Sequence, residues 1–112
     1  LMDGLLRAIN DLKSCGCGVI YADGGFITRK ALPPKDIDVC WDTSGVDEDL
    51  VSDNYPVFLD SHYGRREQKA KYGCEFFPAD WIEGNSGEPF LDFFQKYYGM
   101  PKGIIKINIE YL

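Results

Sequence analysis

The 112-residue chain has no long apolar run and carries fewer basic than acidic residues. No stretch approaches the roughly 18 consecutive apolar residues that a membrane-spanning helix requires, and the first residues lack a signal-peptide pattern. Lysine and arginine total 12 against 18 acidic residues, which gives a net charge of −6. Because nucleic-acid surfaces depend on clustered basic side chains, this composition argues against an extended one. We therefore expect neither a membrane segment nor a broad nucleic-acid interface.

Histidine is scarce, and the cysteines lack the spacing of a zinc finger. His62 is the sole histidine, and as an isolated residue it favours a structural role. Cys15 and Cys17 form a Cys-X-Cys pair, whereas Cys40 and Cys74 lie in apolar segments. This arrangement favours four reduced thiols over a zinc site or disulfides, and reduced thiols are typical of a cytoplasmic protein.

Apolar periodicity predicts alternating helices and strands. Residues 2–13 place Leu5, Leu6, Ile9 and Leu12 at helical spacing. No internal repeat or interdomain linker interrupts the chain, so we expect a single domain over residues 1–112. The alternation indicates an α/β (α+β) fold in which helices pack on a mixed central sheet. The predicted strands are 17–21, 36–42, 74–77 and 103–112, and the main helices are 2–13, 61–72 and 89–98, the last with an aromatic face suited to core packing.

The strand over residues 36–42 carries acidic residues at alternate positions. With a period of two, Asp36, Asp38, Cys40 and Asp42 share one face of this strand. Aspartate is depleted in strands, and its burial is costly. The alternation is also what a solvent-facing sheet surface would produce. Two carboxylates two residues apart are, however, suitable ligands for Mg²⁺, which prefers one or two carboxylates together with phosphates and water.

Two further segments are candidate phosphate sites. Gly24 and Gly25 form a turn in which the backbone can bend sharply or approach a ligand closely, and the following residues are expected to begin a helix. A plain tight turn explains the same glycines. The basic segment 61–72 is either a solvated helix face or a phosphate site in which Arg66 and Lys69 are neighbours at i and i+3.

Gly24-Gly25, ten intervening residues and Asp36-Ile37-Asp38-Val39 together resemble the signature of the nucleotidyltransferase superfamily typified by DNA polymerase beta. Ala22-Asp23 replaces the apolar residue that usually precedes the glycine, and Gly25 stands where serine is commoner. A narrower likeness to short nucleotidyltransferase-like bacterial and phage proteins rests on three further segments, QKAKYGCEFFPADW, PFLDFFQ and PKGIIKI.

The resemblance implies a minimal nucleotidyltransferase core that uses two Mg²⁺ ions. Asp36 and Asp38 would bind the metal, and Gly24 and Gly25 would face the phosphates of an NTP. The family also uses a third acid on a neighbouring strand, for which Glu75 is the first candidate. Asp80 is the alternative third acid, and Asp42 is a weaker one. Charge placement, rather than the signature, assigns Arg66 and Lys69 to phosphate binding.

The sequence supports three classes of function. The first is a Mg²⁺-dependent nucleotidyltransferase that moves an NMP from an NTP to a protein or small-molecule acceptor. The second is a nucleotide-binding or protein-binding module without turnover, in a toxin–antitoxin or phage-conflict setting. The paired aspartates favour the first. The absence of an added acceptor-binding domain and of the usual serine favours the second. A purely structural role through the aromatic helix is a third, less favoured alternative.

Overall fold

Helices and strands alternate along the chain around one mixed sheet. The structure of the protein is a computed structural model that describes residues 2–23, 38–97 and 104–111. In chain order its elements are α1 (Met2–Ser14), β1 (Val19–Asp23), β2 (Asp38–Trp41), α2 (Glu48–Asn54), a 3-10 turn (Pro56–Leu59), α3 (His62–Tyr72), β3 (Glu75–Pro78), α4 (Phe90–Tyr97), β4 (Ile104–Asn108) and a second 3-10 turn (Ile109–Tyr111).

The described strands form a four-stranded sheet in the order β3-β2-β1-β4. β1 is antiparallel to both β2 and β4, whereas β2 and β3 are parallel. Parallel neighbours need a long crossover, and here α2, the first 3-10 turn and α3 supply it. The predicted α+β fold with a mixed sheet is confirmed.

The strand boundaries differ from the predicted ones at both ends of the chain. β1 is displaced toward the C-terminus and ends at Asp23. β4 lies at the sheet edge and ends at Asn108, whereas the predicted strand extends to residue 112. Ile109 leaves the strand, enters a 3-10 turn and is fully buried. The alternation of isoleucine with polar residues over 105–110 therefore continues beyond the strand, and Ile109 packs into the buried core from the turn.

One face of the sheet packs against α1, α3 and the first 3-10 turn. Val39, Trp41 and Phe76 project from this face into a large buried core. Phe58 lies at the core's centre, stacked on Tyr72 with ring centroids 5.1 Å apart. The rings of Phe58 and Phe76 are in an edge-to-face arrangement, with their centroids 5.2 Å apart. This aromatic cluster joins the crossover segment to the two parallel strands.

The opposite face of the sheet is covered by α4. Cys40 and Phe77 lie on this face and pack with Phe94 in a second, smaller core. The centroids of Phe77 and Phe94 are 4.9 Å apart. The predicted core role of the aromatic helix is confirmed, since Phe94 is buried and Phe90 packs beside it. The face that bears the acidic residue of β2 is therefore partly enclosed.

The buried stripe of α1 differs from the predicted one at one position. Leu5, Ile9 and Leu12 are buried as expected, and Ala8 completes the stripe. Leu6 is 48% exposed, so its predicted place in the core is wrong. Consecutive helical residues are rotated by about 100° because the helix has 3.6 residues per turn, which carries Leu6 away from the stripe. None of the described helices is both long and apolar enough to cross a membrane.

Replacing Gly4 with alanine is expected to destabilise the protein although alanine is the better helix former. A Cβ at Gly4 would overlap the backbone carbonyl oxygen of Tyr72, where α1 crosses the end of α3. Alanine gains about 1 kcal/mol over glycine in a helix, and overpacking costs about 1–3 kcal/mol. We expect a net loss in urea unfolding, with Gly84→Ala as control because nothing lies within 4 Å of a Cβ there. Equal stability of Gly4→Ala and the parent would contradict this packing.

The described cysteines should make the protein less stable at alkaline pH. All four are free and buried, and burial raises the pKa of the Cys40 thiol to about 12, with nearby Asp38 adding to the rise. Between the ordinary value of 9.0 and about 12, the unfolded chain loses this proton while the folded chain retains it. Stability is therefore lost as the pH rises through this window, by up to about 1.4 kcal/mol per pH unit.

Cys40→Ala should flatten the alkaline decline measured by urea unfolding between pH 9 and 11. Below about pH 8 the two proteins should show parallel pH dependence, because the thiol is protonated in both the folded and the unfolded states. An unchanged alkaline slope in Cys40→Ala would show that Cys40 is not the group responsible.

Candidate acidic site beside α3

Asp38 and Glu75 are the first residues of the two parallel strands. The register pairs Asp38 with Glu75, followed by Val39 with Phe76. Paired residues on adjacent strands lie about 5 Å apart and point to the same face of a sheet. Both carboxylates therefore leave the sheet on the face covered by α4. Asp38 is half-buried, and the Glu75 side chain is 20% exposed.

A short connection places Lys69 beside Glu75. α3 ends at Tyr72, and Gly73 adopts a positive φ of 77° while its N–H donates to the Lys69 carbonyl at 2.8 Å. A left-handed residue after a helix is the usual glycine termination, and it reverses the chain toward β3. One turn back from the helix end, the Lys69 Nζ lies 2.8 Å from the Glu75 Oε1. The Lys69 side chain is 43% exposed, so this ion pair borders solvent.

Arg65 brings a second positive charge to the same face. Its Nη1 donates to the Phe76 carbonyl at 2.9 Å, and its guanidinium lies 4.0 Å from the centroid of Phe77. The residue is only 9% exposed. Burial lowers the pKa of Arg65, while the negative charges of Glu75 and Asp38 act in the opposite direction. The two carboxylates, together with Asp60, thus offset part of the effect of removing the guanidinium from water.

The backbone at the start of α3 is strained. Tyr63 and Arg65 have positive φ angles of 52° and 62°. Residues with a Cβ occupy this region rarely, at a cost of about 1–3 kcal/mol each. At Arg65 the strained backbone accompanies the hydrogen bond to β3 and the stacking on Phe77. Strain of this kind persists where surrounding contacts fix the conformation, and it is common at functional sites.

The two predicted basic residues, Arg66 and Lys69, have different surroundings in the structure. Lys69 lies at the acidic pair, as described. The contacts of Arg66 are to its own helix, with its guanidinium 4.8 Å from the Tyr63 ring and its Nε 3.9 Å from the Glu67 Oε1. Arg65, which was not among the predicted phosphate-binding residues, faces Asp38 and Glu75 instead. The available signal was the i, i+4 spacing of Arg65 and Lys69, which also places side chains on one helix face.

The remaining candidates fall outside the site or outside the described residues. Asp80 is exposed in the turn after β3, at the opposite end of the strand from Glu75. Asp42 accepts a hydrogen bond from the Ser44 N–H at 3.0 Å in the turn that follows β2. Gly24, Gly25 and Asp36 lie outside the described residues, as does the helix expected after the glycines. Of the third-acid candidates, Glu75 is the one in register with Asp38.

His62 belongs to a separate surface region at the start of α3. Its Nδ1 lies 2.9 Å from the Asp60 Oδ1, and its side chain is 85% exposed. The His62 backbone N–H also donates to this carboxylate and, together with the ring, lowers the pKa of Asp60. The pair borders an open cavity of about 530 Å³ whose apolar part is formed by Pro56, Val57 and Leu59. This contact places His62 at the entry of α3, and its structural role stays a prediction.

The donor set at the acidic pair is suited to a hard divalent cation. Asp38 and Glu75 provide carboxylate oxygens, and the ammonium of Lys69 already contacts one of them. Mg²⁺ is commonly bound by one or two carboxylates completed by phosphates and water. Among residues 2–23, 38–97 and 104–111, no group of three or more histidine, cysteine or acidic side chains is arranged to hold a metal. Asp38 and Glu75 are thus the two described carboxylates that could hold Mg²⁺.

Arg65→Met should lower the free energy of unfolding by about 2 kcal/mol, whereas Arg66→Met should change it by less than about 0.5 kcal/mol. The first change removes the donor to the Phe76 carbonyl and the charge that compensates the acidic pair. The second removes an exposed guanidinium. Urea unfolding at neutral pH measures both values. Wild-type stability of Arg65→Met would contradict a stabilising role for the buried guanidinium.

Comparison with known proteins yields one family. A search of curated proteins and a search of solved structures each gave no match. A family model described as a family of unknown function (DUF6932) matches residues 1–108. This match covers both parallel strands, α3 and the acidic pair. The chain therefore belongs to the DUF6932 family.

Proposed function

We propose that this protein is a Mg²⁺-dependent nucleotidyltransferase that moves an NMP from an NTP to a protein or small-molecule acceptor. The observation that supports the proposal most directly is the register of β2 and β3. It aligns Asp38 with Glu75 at the start of two parallel strands. The sequence resemblance implies a third acid on a neighbouring strand, and the position of Glu75 on β3 supports it as the candidate.

Asp38 and Glu75 would hold the metal, together with Asp36, which lies two residues before Asp38. Bound there, Mg²⁺ supplies stabilisation of the negative charge that develops on phosphoryl oxygens. Lys69 and Arg65 contribute positive charge on the α3 side of the pair. Gly24 and Gly25 remain the proposed phosphate-binding turn.

In the proposed reaction, an acceptor oxygen forms a bond to the α-phosphorus of the NTP. The bond between this phosphorus and the oxygen bridging to the β-phosphorus breaks, and pyrophosphate leaves. The acceptor proton passes to solvent or to a nearby carboxylate. The chain's own contribution is to orient the triphosphate and to balance its charge, because positioning and electrostatic stabilisation dominate phosphoryl-transfer catalysis.

A binding module without turnover is the second candidate. The ion pair between Lys69 and Glu75 favours it, because one carboxylate oxygen of the site is already neutralised by a protein cation. A protein of this kind would retain Mg²⁺–NTP binding but release no pyrophosphate.

Thermal unfolding with Mg²⁺ and each of the four NTPs tests the proposal. A ligand at 100 times its Kd stabilises the native state by about 2.7 kcal/mol, which should raise the Tm by roughly 10 °C in a chain of this size. Asp38→Asn and Glu75→Gln should abolish the rise. Asp53→Asn, an exposed change on α2, is the matched control and should preserve it.

Three outcomes separate the alternatives. No Mg²⁺-dependent rise with any NTP would overturn both nucleotidyl transfer and nucleotide binding. A rise that depends on Asp38 and is accompanied by pyrophosphate release and label transfer from an α-³²P NTP supports the enzyme, whereas a rise without transfer to any candidate acceptor supports the binding module. Loss of the rise in Asp80→Asn but not in Glu75→Gln would assign the third acid to Asp80.

A further inference from the structure

Lys69 occupies a position at which a protein cation and a metal ion would compete. Its Nζ contacts the Glu75 Oε1 at 2.8 Å, and Glu75 is in register with Asp38. A carboxylate oxygen in contact with an ammonium offers less negative charge to a second cation. A divalent ion that binds Glu75 must therefore displace Lys69 or bind beside it with a repulsive energy.

The surroundings of the two cations near the acidic pair indicate which of them a metal ion would displace. Among the described residues, Lys69 contacts Glu75, and the negative charges of Glu75, Asp38 and Asp60 act on Arg65. A divalent ion at Glu75 would add positive charge beside both cations. Arg65 is buried and bonded to β3, so it cannot leave. Lys69 is 43% exposed on a flexible stem, so it is the cation that can move.

We propose that Lys69 exchanges Glu75 for a phosphate oxygen when Mg²⁺ and a polyphosphate bind together. The inference rests on the proposed function, and it specifies how the two ligands are coupled. The metal takes the carboxylate that Lys69 releases, and the polyphosphate supplies a new anion for the ammonium. Each ligand thus removes an obstacle to the other, which is positive coupling between their binding free energies. The preferred ligand is a metal–polyphosphate complex, and the metal alone binds weakly.

Binding of Mn²⁺ alone tests the exchange. Free Mn²⁺ is quantified by its electron paramagnetic resonance signal in titrations of the wild type, Lys69→Met and Lys71→Met. Lys69→Met should bind Mn²⁺ about tenfold more tightly, a typical size for such coupling, because the competing ammonium is gone. Lys71 lies on the same helix with its Nζ near the Tyr55 and Tyr72 rings, so Lys71→Met should change the affinity less than twofold.

In a second titration, binding of inorganic tripolyphosphate at saturating Mn²⁺ is measured by isothermal titration calorimetry. Here Lys69→Met should bind about tenfold more weakly than the wild type, so that one substitution changes the two affinities in opposite directions. A structural defect would weaken both. Lys69→Gln repeats the experiment with a polar side chain of similar length, and urea unfolding of each variant verifies its stability.

The outcomes are distinct. Mn²⁺ affinity of Lys69→Met equal to or below that of the wild type overturns the exchange, as does an equal gain in Lys71→Met, which would reflect overall charge. Mn²⁺ binding to none of the three proteins overturns both the exchange and the proposed metal site. Tighter Mn²⁺ binding by Lys69→Met without any NTP-dependent rise in Tm supports displacement of Lys69 from Glu75 by the metal and overturns the nucleotide proposal. Tripolyphosphate affinity of Lys69→Met equal to or above that of the wild type overturns the transfer of Lys69 to phosphate.

Discussion

The parallel pairing of β2 with β3 is the constraint on which the rest of the structure depends. Its register aligns Asp38 with Glu75 and, one residue on, Val39 with Phe76. Successive residues point to opposite faces, so this register sends the acidic pair to one side and the apolar pair into the main core. A slip of one residue would reverse the faces and bury Glu75 in the aromatic cluster. Burial of Phe76 between α3 and the 3-10 turn thus fixes the position of Glu75.

α3 links the main core to the acidic face. Tyr72 and Gln68 are buried toward the main core, and the Gln68 side chain bonds both the Phe76 N–H and the Val57 carbonyl. On the same helix, Arg65 lies three residues before Gln68 and Lys69 one residue after it. Their side chains extend toward the carboxylates. A single helix therefore supplies the apolar contacts that hold β3 and the cations that balance its acidic neighbour. Arg65, which supplies one of these cations, has a strained, positive φ angle.

A partly enclosed acidic pair is chemically different from two acids on an open sheet. α4 covers Cys40 and Phe77, which follow the acids on the same face, and desolvation near them raises the pKa of the Cys40 thiol to about 12. Charges in such surroundings interact more strongly than charges in water, so a nearby cation stabilises a carboxylate there more than it would on an open surface. Arg65 and Lys69 are cations that act on this pair. In the proposed function, a divalent ion adds further positive charge beside them.

The sequence by itself determined the alternation of helices and strands, the mixed α+β class, the core role of the aromatic helix and the candidacy of Asp38, Glu75 and Lys69. Periodicity and the charge pattern are local, and those features depend on local order. Only the tertiary structure decided that Glu75 lies in register with Asp38 and that Arg65, rather than Arg66, faces them. The strand register and the orientation of the helix arise from the packing of α3 against β3. The spacing of the contacting residues along the chain does not indicate that they meet. The exposure of Leu6 has the same origin, since packing against the sheet selects which side of an apolar helix is buried.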